Sequence, residues 1–140
     1  MSAVRLHHVQ LGCPPRGEDL ARLFWVDGLG LSEIDKPAPL AGRGGAWFVA
    51  RDDDGAVTAE VHVGVEDPCR PPRRAHPALH VGDRDRLDAL VAHLGSARFA
   101  AIGVEVDVSE AATFPGYRRA HVRDPHGNRV ELLASPYLGM

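Results

Sequence analysis

The sequence predicts an α+β fold built from two β-α-β-β-β modules. Two observations carry that prediction. The chain repeats itself across its two halves, and each half places one acidic helix start among segments with strand-like alternation. At 140 residues with 44% hydrophobic content, it is long enough to bury a core and too apolar to be a disordered tail.

Leu6-His7-His8-Val9-Gln10-Leu11 reads as the opening strand of the first half, because apolar residues alternate with polar ones. Glu18-Asp19-Leu20-Ala21-Arg22-Leu23 follows as a helix start, its acidic first turn suiting the positive helix end. Gly28 falls where that helix needs a C-cap. Three strands are expected next, at about 30–36, 44–50 and 56–65, with Asp52-Asp53-Asp54-Gly55 as a hairpin turn between the last two. The segment 35–45 is a long loop of the kind that rims a site.

The second half repeats this order. His76-Pro77-Ala78-Leu79-His80-Val81 opens it, and Asp85-Arg86-Leu87-Asp88-Ala89-Leu90 starts its helix. Leu87, Leu90 and Gly95 follow Leu20, Leu23 and Gly28 at one constant offset. Strands are expected at about 99–108, 117–123 and 128–134. The modules are thus 4–66 and 75–134 of a single domain spanning 1–140. A stiff linker, Asp67-Pro68-Cys69-Arg70-Pro71-Pro72-Arg73-Arg74, joins them. Its arginines read as a solvated surface or as cations for an anionic substrate tail. Modules of ~65 residues are small for independent cores, so an interface within one chain or across a dimer is expected.

Charge and composition exclude several classes. Sixteen Lys+Arg against 19 Asp+Glu give a net charge of −3, without the basic surplus of a nucleic-acid binder. No apolar run is long enough to span a membrane, and the N-terminus lacks a signal-peptide pattern, so a cytoplasmic protein is expected. Cys13 and Cys69 form no CxxC pair and read as reduced thiols.

The chemistry resides in the histidines and glutamates. Residues two apart on a strand share a face, which groups His8 with Gln10, Glu60 with His62, and His76 with Ala78 and His80. Each module offers an imidazole at its first strand and a carboxylate at its last: His8 and Glu60, then His76 and Glu131. A pseudo-twofold site of this kind suits Zn, Ni, Co, Mn or Fe(II). One of Trp47 and Phe48 should face a cleft while the other packs under the helix. Arg119 and His121 share a face and could hold an anionic group, and Phe24 reads as core.

Val122-Arg123-Asp124-Pro125-His126-Gly127-Asn128-Arg129-Val130-Glu131-Leu132 resembles the Asp-Pro-x-Gly-Asn…Glu ending of the vicinal oxygen chelate superfamily. His8-Val9-Gln10-Leu11 resembles that superfamily's opening strand, and Ala75-His76-Pro77-Ala78-Leu79 the opening of its second module. The superfamily includes glyoxalases, bleomycin and fosfomycin resistance proteins and extradiol dioxygenases. The resemblance runs from about residue 4 to 134. It implies curved mixed sheets around a cleft and a divalent metal held by His8, Glu60, His76 and Glu131. His62 could replace Glu60; without Glu60 as a ligand, His8, His76 and Glu131 form a 2-His-1-carboxylate set compatible with Fe(II).

Open metal positions would receive two vicinal oxygens of a small molecule, with the metal as Lewis acid. The resemblance makes Glu131 the first candidate base and Glu60 the second. His62, His80, His121, Trp47 and Arg119 are pocket candidates. The leading expectation is a metal-dependent lyase, isomerase or related enzyme. Its rivals are a metal-free antibiotic or metabolite binder of the bleomycin-resistance kind, then a ring-cleaving dioxygenase. A homodimer is expected from the family, and neither nucleic acid nor membrane is expected as a partner.

Overall fold

The computed structural model describes residues 3–135. The chain divides into two units, one ending at Cys69 and the other beginning at Arg70, so the boundary falls inside the proline-rich linker.

In the first unit, β1 (Val9–Cys13) leads to α1 (Glu18–Arg22), whose helix continues as a π turn over Leu23–Gly28. Then come β2 (Ser32–Ile34), a short α2 (Ala38–Ala41), β3 (Ala46–Arg51) and β4 (Val57–Val65). The sheet order is β1-β4-β3-β2, with β1 parallel to β4 and the other pairs antiparallel. The π turn carries the adjacent pair Phe24 and Trp25, both fully buried, and Trp25 stacks on Phe48 of β3. Phe48 therefore takes the core position, while its neighbour Trp47 points to the opposite face. The turn at 52–55 forms as its composition demands. Asp52 Oδ1 accepts from the Asp54 and Ala56 amides, and Gly55 adopts φ +84°, a left-handed conformation that favours glycine.

The second unit repeats the topology. It contains β5 (Ala78–Asp83), α3 (Arg84–Leu94), α4 (Ala97–Ala100), β6 (Glu105–Asp107), β7 (Arg118–Arg123) and β8 (Arg129–Ser135). Its sheet order is β5-β8-β7-β6, again with the first strand parallel to the last. The sequence repeat is thus a repeat of sheet topology. Asp83 caps α3 by accepting from the Arg86 amide, and Leu87 and Leu94 bury the helix face.

Several boundaries differ from the sequence expectation for physical reasons. β1 begins at Val9 and β5 at Ala78, so His8 and His76 precede their strands. The stretch 99–108 is mostly not strand. Ala97-Arg98-Phe99-Ala100 is rich in helix formers and makes α4, Gly103 turns the chain with φ +95°, and only Glu105–Asp107 pairs as β6. The expected strand at 30–36 shortens to Ser32–Ile34. Gly95 does cap α3, but with φ −81° rather than a left-handed conformation; after the π turn of the first half the left-handed residue is Gly30, not Gly28. Among the described residues, no helix is long and apolar enough to cross a membrane.

Candidate metal centre

The tight turn before β8 fixes the site. Asp124, 1% exposed, accepts hydrogen bonds on Oδ1 from the His126 and Asn128 amides at 2.9 Å each, and on Oδ2 from Asn128 Nδ2 at 2.8 Å. Gly127 supplies the left-handed residue, φ +89°, and its amide donates back to the Asp124 carbonyl. β8 therefore starts in a set register at Arg129. Strand alternation then presents Arg129 and Glu131 on one face.

Glu131 lies in the middle strand positions of the second sheet, opposite Ala78 on β5 and His121 on β7. Its backbone amide donates to the Pro77 carbonyl at 2.9 Å, which brings His76 beside its carboxylate. Three cationic or potentially cationic groups meet Glu131 Oε1: His76 Nε2 at 2.9 Å, His121 Nε2 at 3.3 Å and Arg119 Nη1 at 3.4 Å. Donor atoms of His76, His121 and Glu131 all lie within 4.8 Å of one another. Two imidazoles and a carboxylate form a donor set for a divalent transition metal.

The hydrogen bonding fits a metal. His76 Nδ1 is 2.6 Å from the Arg74 carbonyl, an acceptor, so Nδ1 carries a proton. In neutral His76 that leaves a lone pair on Nε2, aimed at a carboxylate oxygen. Two lone pairs at 2.9 Å repel unless a proton or a metal ion sits with them. A backbone carbonyl holding the remote ring nitrogen is the usual support of a metal-bound histidine. His121 Nδ1 is buried and lacks a hydrogen-bond partner, so His121 too has an unmet polar atom in this cluster.

Protonation states also suit coordination. Burial opposes ionisation of Glu131, but the His76 hydrogen bond and the charges of Arg119 and His121 outweigh it and hold the carboxyl below its ordinary value. Burial, reinforced by Arg129, Arg119 and His76 against the opposing pull of Glu131, lowers His121. At neutral pH the cluster thus contains a carboxylate and a neutral imidazole. Arg119 is itself held by the Glu110 carbonyl and Thr113 Oγ1 and lies over the Phe114 ring.

The remaining sequence candidates separate from this cluster. In the first unit, Glu60 Oε2 is 2.6 Å from His62 Nε2. His62 is sandwiched between Trp47, at 3.6 Å between ring centroids, and His8, at 4.0 Å. Burial lowers His62, with Glu60 pulling the other way and His8 and His7 adding to the depression. His8 is exposed, and its Nδ1 lies 2.9 Å from that of His7. His80 is also exposed and pairs through Nε2 with Ser135 Oγ at 2.7 Å. Among the described residues the one three-donor group is His76, His121 and Glu131. Sequence reading placed His121 in the pocket but not among the ligands. The available signal was its position on the strand expected at 117–123, joined by the Asp124–Asn128 turn to the strand of Glu131.

Comparison with known proteins gives a family. The family model described as the Glyoxalase/Bleomycin resistance protein/Dioxygenase superfamily matches residues 5–132. A glyoxalase family protein from Bacillus anthracis is 33% identical, with a TM-score of 0.74, over 96% of this chain and 98% of that one. TnmS3, an antibiotic binding protein from Streptomyces sp. CB03234, is 25% identical with a TM-score of 0.58, covering 96% and 99% of the two chains. The fosfomycin resistance protein FosX from Listeria monocytogenes shares the fold at 16% identity and a TM-score of 0.64, covering 96% and 95%. No curated protein matches significantly.

Proposed function

The chain belongs to the Glyoxalase/Bleomycin resistance protein/Dioxygenase superfamily, and from that premise we propose that it is a metal-dependent enzyme acting on an oxygen-rich small molecule. The observation that carries this reading is the convergence of His76 and His121 on Glu131 Oε1, with all three donor atoms within 4.8 Å.

His76, His121 and Glu131 would hold the ion. A divalent metal there supplies Lewis acidity to two vicinal substrate oxygens. The chain's own groups do the rest. The Arg74 carbonyl orients His76, and Arg119 steadies the Glu131 carboxylate while offering positive charge to a developing oxyanion. The depressed pKa of Glu131 suits a ligand at neutral pH; to serve as base it would first have to be released from its cationic neighbours. Glu60, the other base candidate, shares a short hydrogen bond with His62, and Glu60→Gln tests whether that pair moves a proton in turnover.

The ligand set read from the sequence adds His8 and Glu60 to His76 and Glu131. Metal titration of His8→Ala measures that contribution directly: weakened binding includes His8, and retained binding leaves the three residues of the second unit to hold the ion. A cytoplasmic homodimer completes the proposal, supported by the family.

A second reading, sequestration of a planar ligand without a metal, is favoured by the Trp47-His62-His8 ring stack and the likeness to an antibiotic binding protein. Turnover separates the two. Protein loaded with Ni, Co, Zn, Mn or Fe(II) and offered dicarbonyl adducts, epoxides and catechols should show metal-dependent conversion that Glu131→Gln abolishes. Tight binding of planar ligands by metal-free protein, with no conversion under any metal, would favour sequestration.

A further inference from the structure

The second unit contains a cavity of about 530 Å³ whose walls include Arg73, Arg74, Arg123 and Arg129 together with His121. That volume suits a small molecule rather than a polymer. The sheet register explains how the charges gather. Arg123 lies directly opposite Arg129, two residues along from the His121–Glu131 pair on the same face. Like charges in register across two strands repel. Here the two guanidiniums reach back to the linker instead: Arg123 donates to the Gly127 and Arg73 carbonyls, and Arg129 to the Arg74 carbonyl. That bonding ties the backbone of Arg73 and Arg74 to the cavity wall, bringing two more arginines to it.

The cavity is also lined by Glu105 and Asp107 of β6, and hydrogen bonds from Ser109, helped by the charges of His121 and Arg129, hold the Asp107 carboxyl below its ordinary value. Neither carboxylate is within ion-pair distance of the cavity's guanidiniums. Arg22, Arg118 and Arg119 pair with carboxylates elsewhere. The lining thus holds four arginines against two carboxylates; Arg123 and Arg129 spend part of their donors on backbone carbonyls, and guanidiniums without a carboxylate partner favour an oxyanion.

We propose that this cavity binds an anionic group of the substrate, a carboxylate or phosphate-type oxyanion, beside the metal-chelating end. Two residues of strand, about 7 Å along the backbone, separate Arg123 and Arg129 from His121 and Glu131. The substrate is then a short molecule with an anion at one end and vicinal oxygens at the other. Assigning the anion to the substrate rests on the metal-centre reading; anion binding itself does not.

Inorganic phosphate is the probe, titrated calorimetrically into the full-length protein before and after metal loading. The variants are Arg129→Gln and the double change Arg73→Ala/Arg74→Ala, the latter at exposed positions whose linker carbonyls are retained. Wild-type protein should bind phosphate in both states, and the double variant should bind at least about tenfold more weakly. Absence of binding in both states overturns the proposal. So does binding confined to metal-loaded protein and unaltered by all the arginine changes, since the metal alone would then hold the anion. Arginine-dependent phosphate binding by a protein that takes up no metal supports the anion site and refutes the metal centre. Metal uptake with no arginine-dependent phosphate binding does the reverse.

Discussion

Removing the Asp124 carboxylate should loosen the turn that sets Glu131. Asp124→Ala takes away the acceptor for three N–H donors, of which Asn128 N and Nδ2 belong to a residue only 2% exposed. A buried donor that loses its acceptor costs about 1–3 kcal/mol. Counting the two donors of Asn128, and allowing for the penalty of burying a carboxylate, the expected loss is about 2–4 kcal/mol. That corresponds to a fall in Tm of about 6–15 °C for a chain of this size. Burial raises the Asp124 carboxyl above its ordinary 3.8, although Asn128 and His126 hydrogen bonds pull it down. Its contribution is therefore greatest below that value and is lost as the pH rises, so the ionised form carries a cost at neutral pH. Asp124→Asn keeps the shape without that cost, and a flip of the Asn128 amide restores an acceptor for its new N–H. Asn should cost less than Ala, about 1–2 kcal/mol. Urea denaturation at neutral pH measures both variants. A loss below about 0.5 kcal/mol for Asp124→Ala would refute the claim that this turn is held by its buried carboxylate.

Three further outcomes follow from the same structure. Phe48→Ala, which empties a fully buried ring position against Trp25, should cost about 3–5 kcal/mol in denaturant unfolding; a cost under ~1 kcal/mol would contradict its place in the core. His62 and His121 are both held below their ordinary 6.5, mainly by burial, so the unfolded chain binds more protons just below that pH. Stability should be full above pH 6.5 and fall as the pH drops through the depressed values, with His121→Asn reducing the slope of Tm against pH; an unaltered slope would count against it. His121→Ala should weaken metal binding about 100-fold while His80→Ala, which removes only an exposed bond to Ser135, leaves it unchanged in a competition titration. Equal effects of the two would remove His121 from the ligand set.

Much of this was legible in the sequence because it is local. The β-α-β-β-β order is encoded by strand alternation and acidic helix starts, and the Asp-Pro-x-Gly-Asn turn by residues that hydrogen-bond their own neighbours. The closeness of Glu131 to His76 was implied by the family pattern and is built by parallel pairing of β5 with β8. The strand expected over 99–108 was misread because β-like Ile102 to Val106 follow a helix-forming alanine run, and propensity alone does not mark the junction. The closeness of His121 to Glu131 was not legible because it depends on the β7–β8 register, a non-local fact. The arginine-lined cavity was legible only in part. The sequence left Arg73 and Arg74 as solvated charge or as cations for an anionic tail; the backbone bonds from Arg123 and Arg129 tie that stretch of linker to the cavity.

The metal centre is tested most directly by equilibrium binding of a divalent transition metal to untagged protein, wild type beside His76→Ala and Glu131→Gln. The account predicts about one ion per chain in the wild type and affinity weakened at least about 100-fold in each variant, with both variants still folded. Wild-type protein that takes up none of Ni, Co, Zn, Mn or Fe(II), or variants that bind as tightly as wild type, would contradict it.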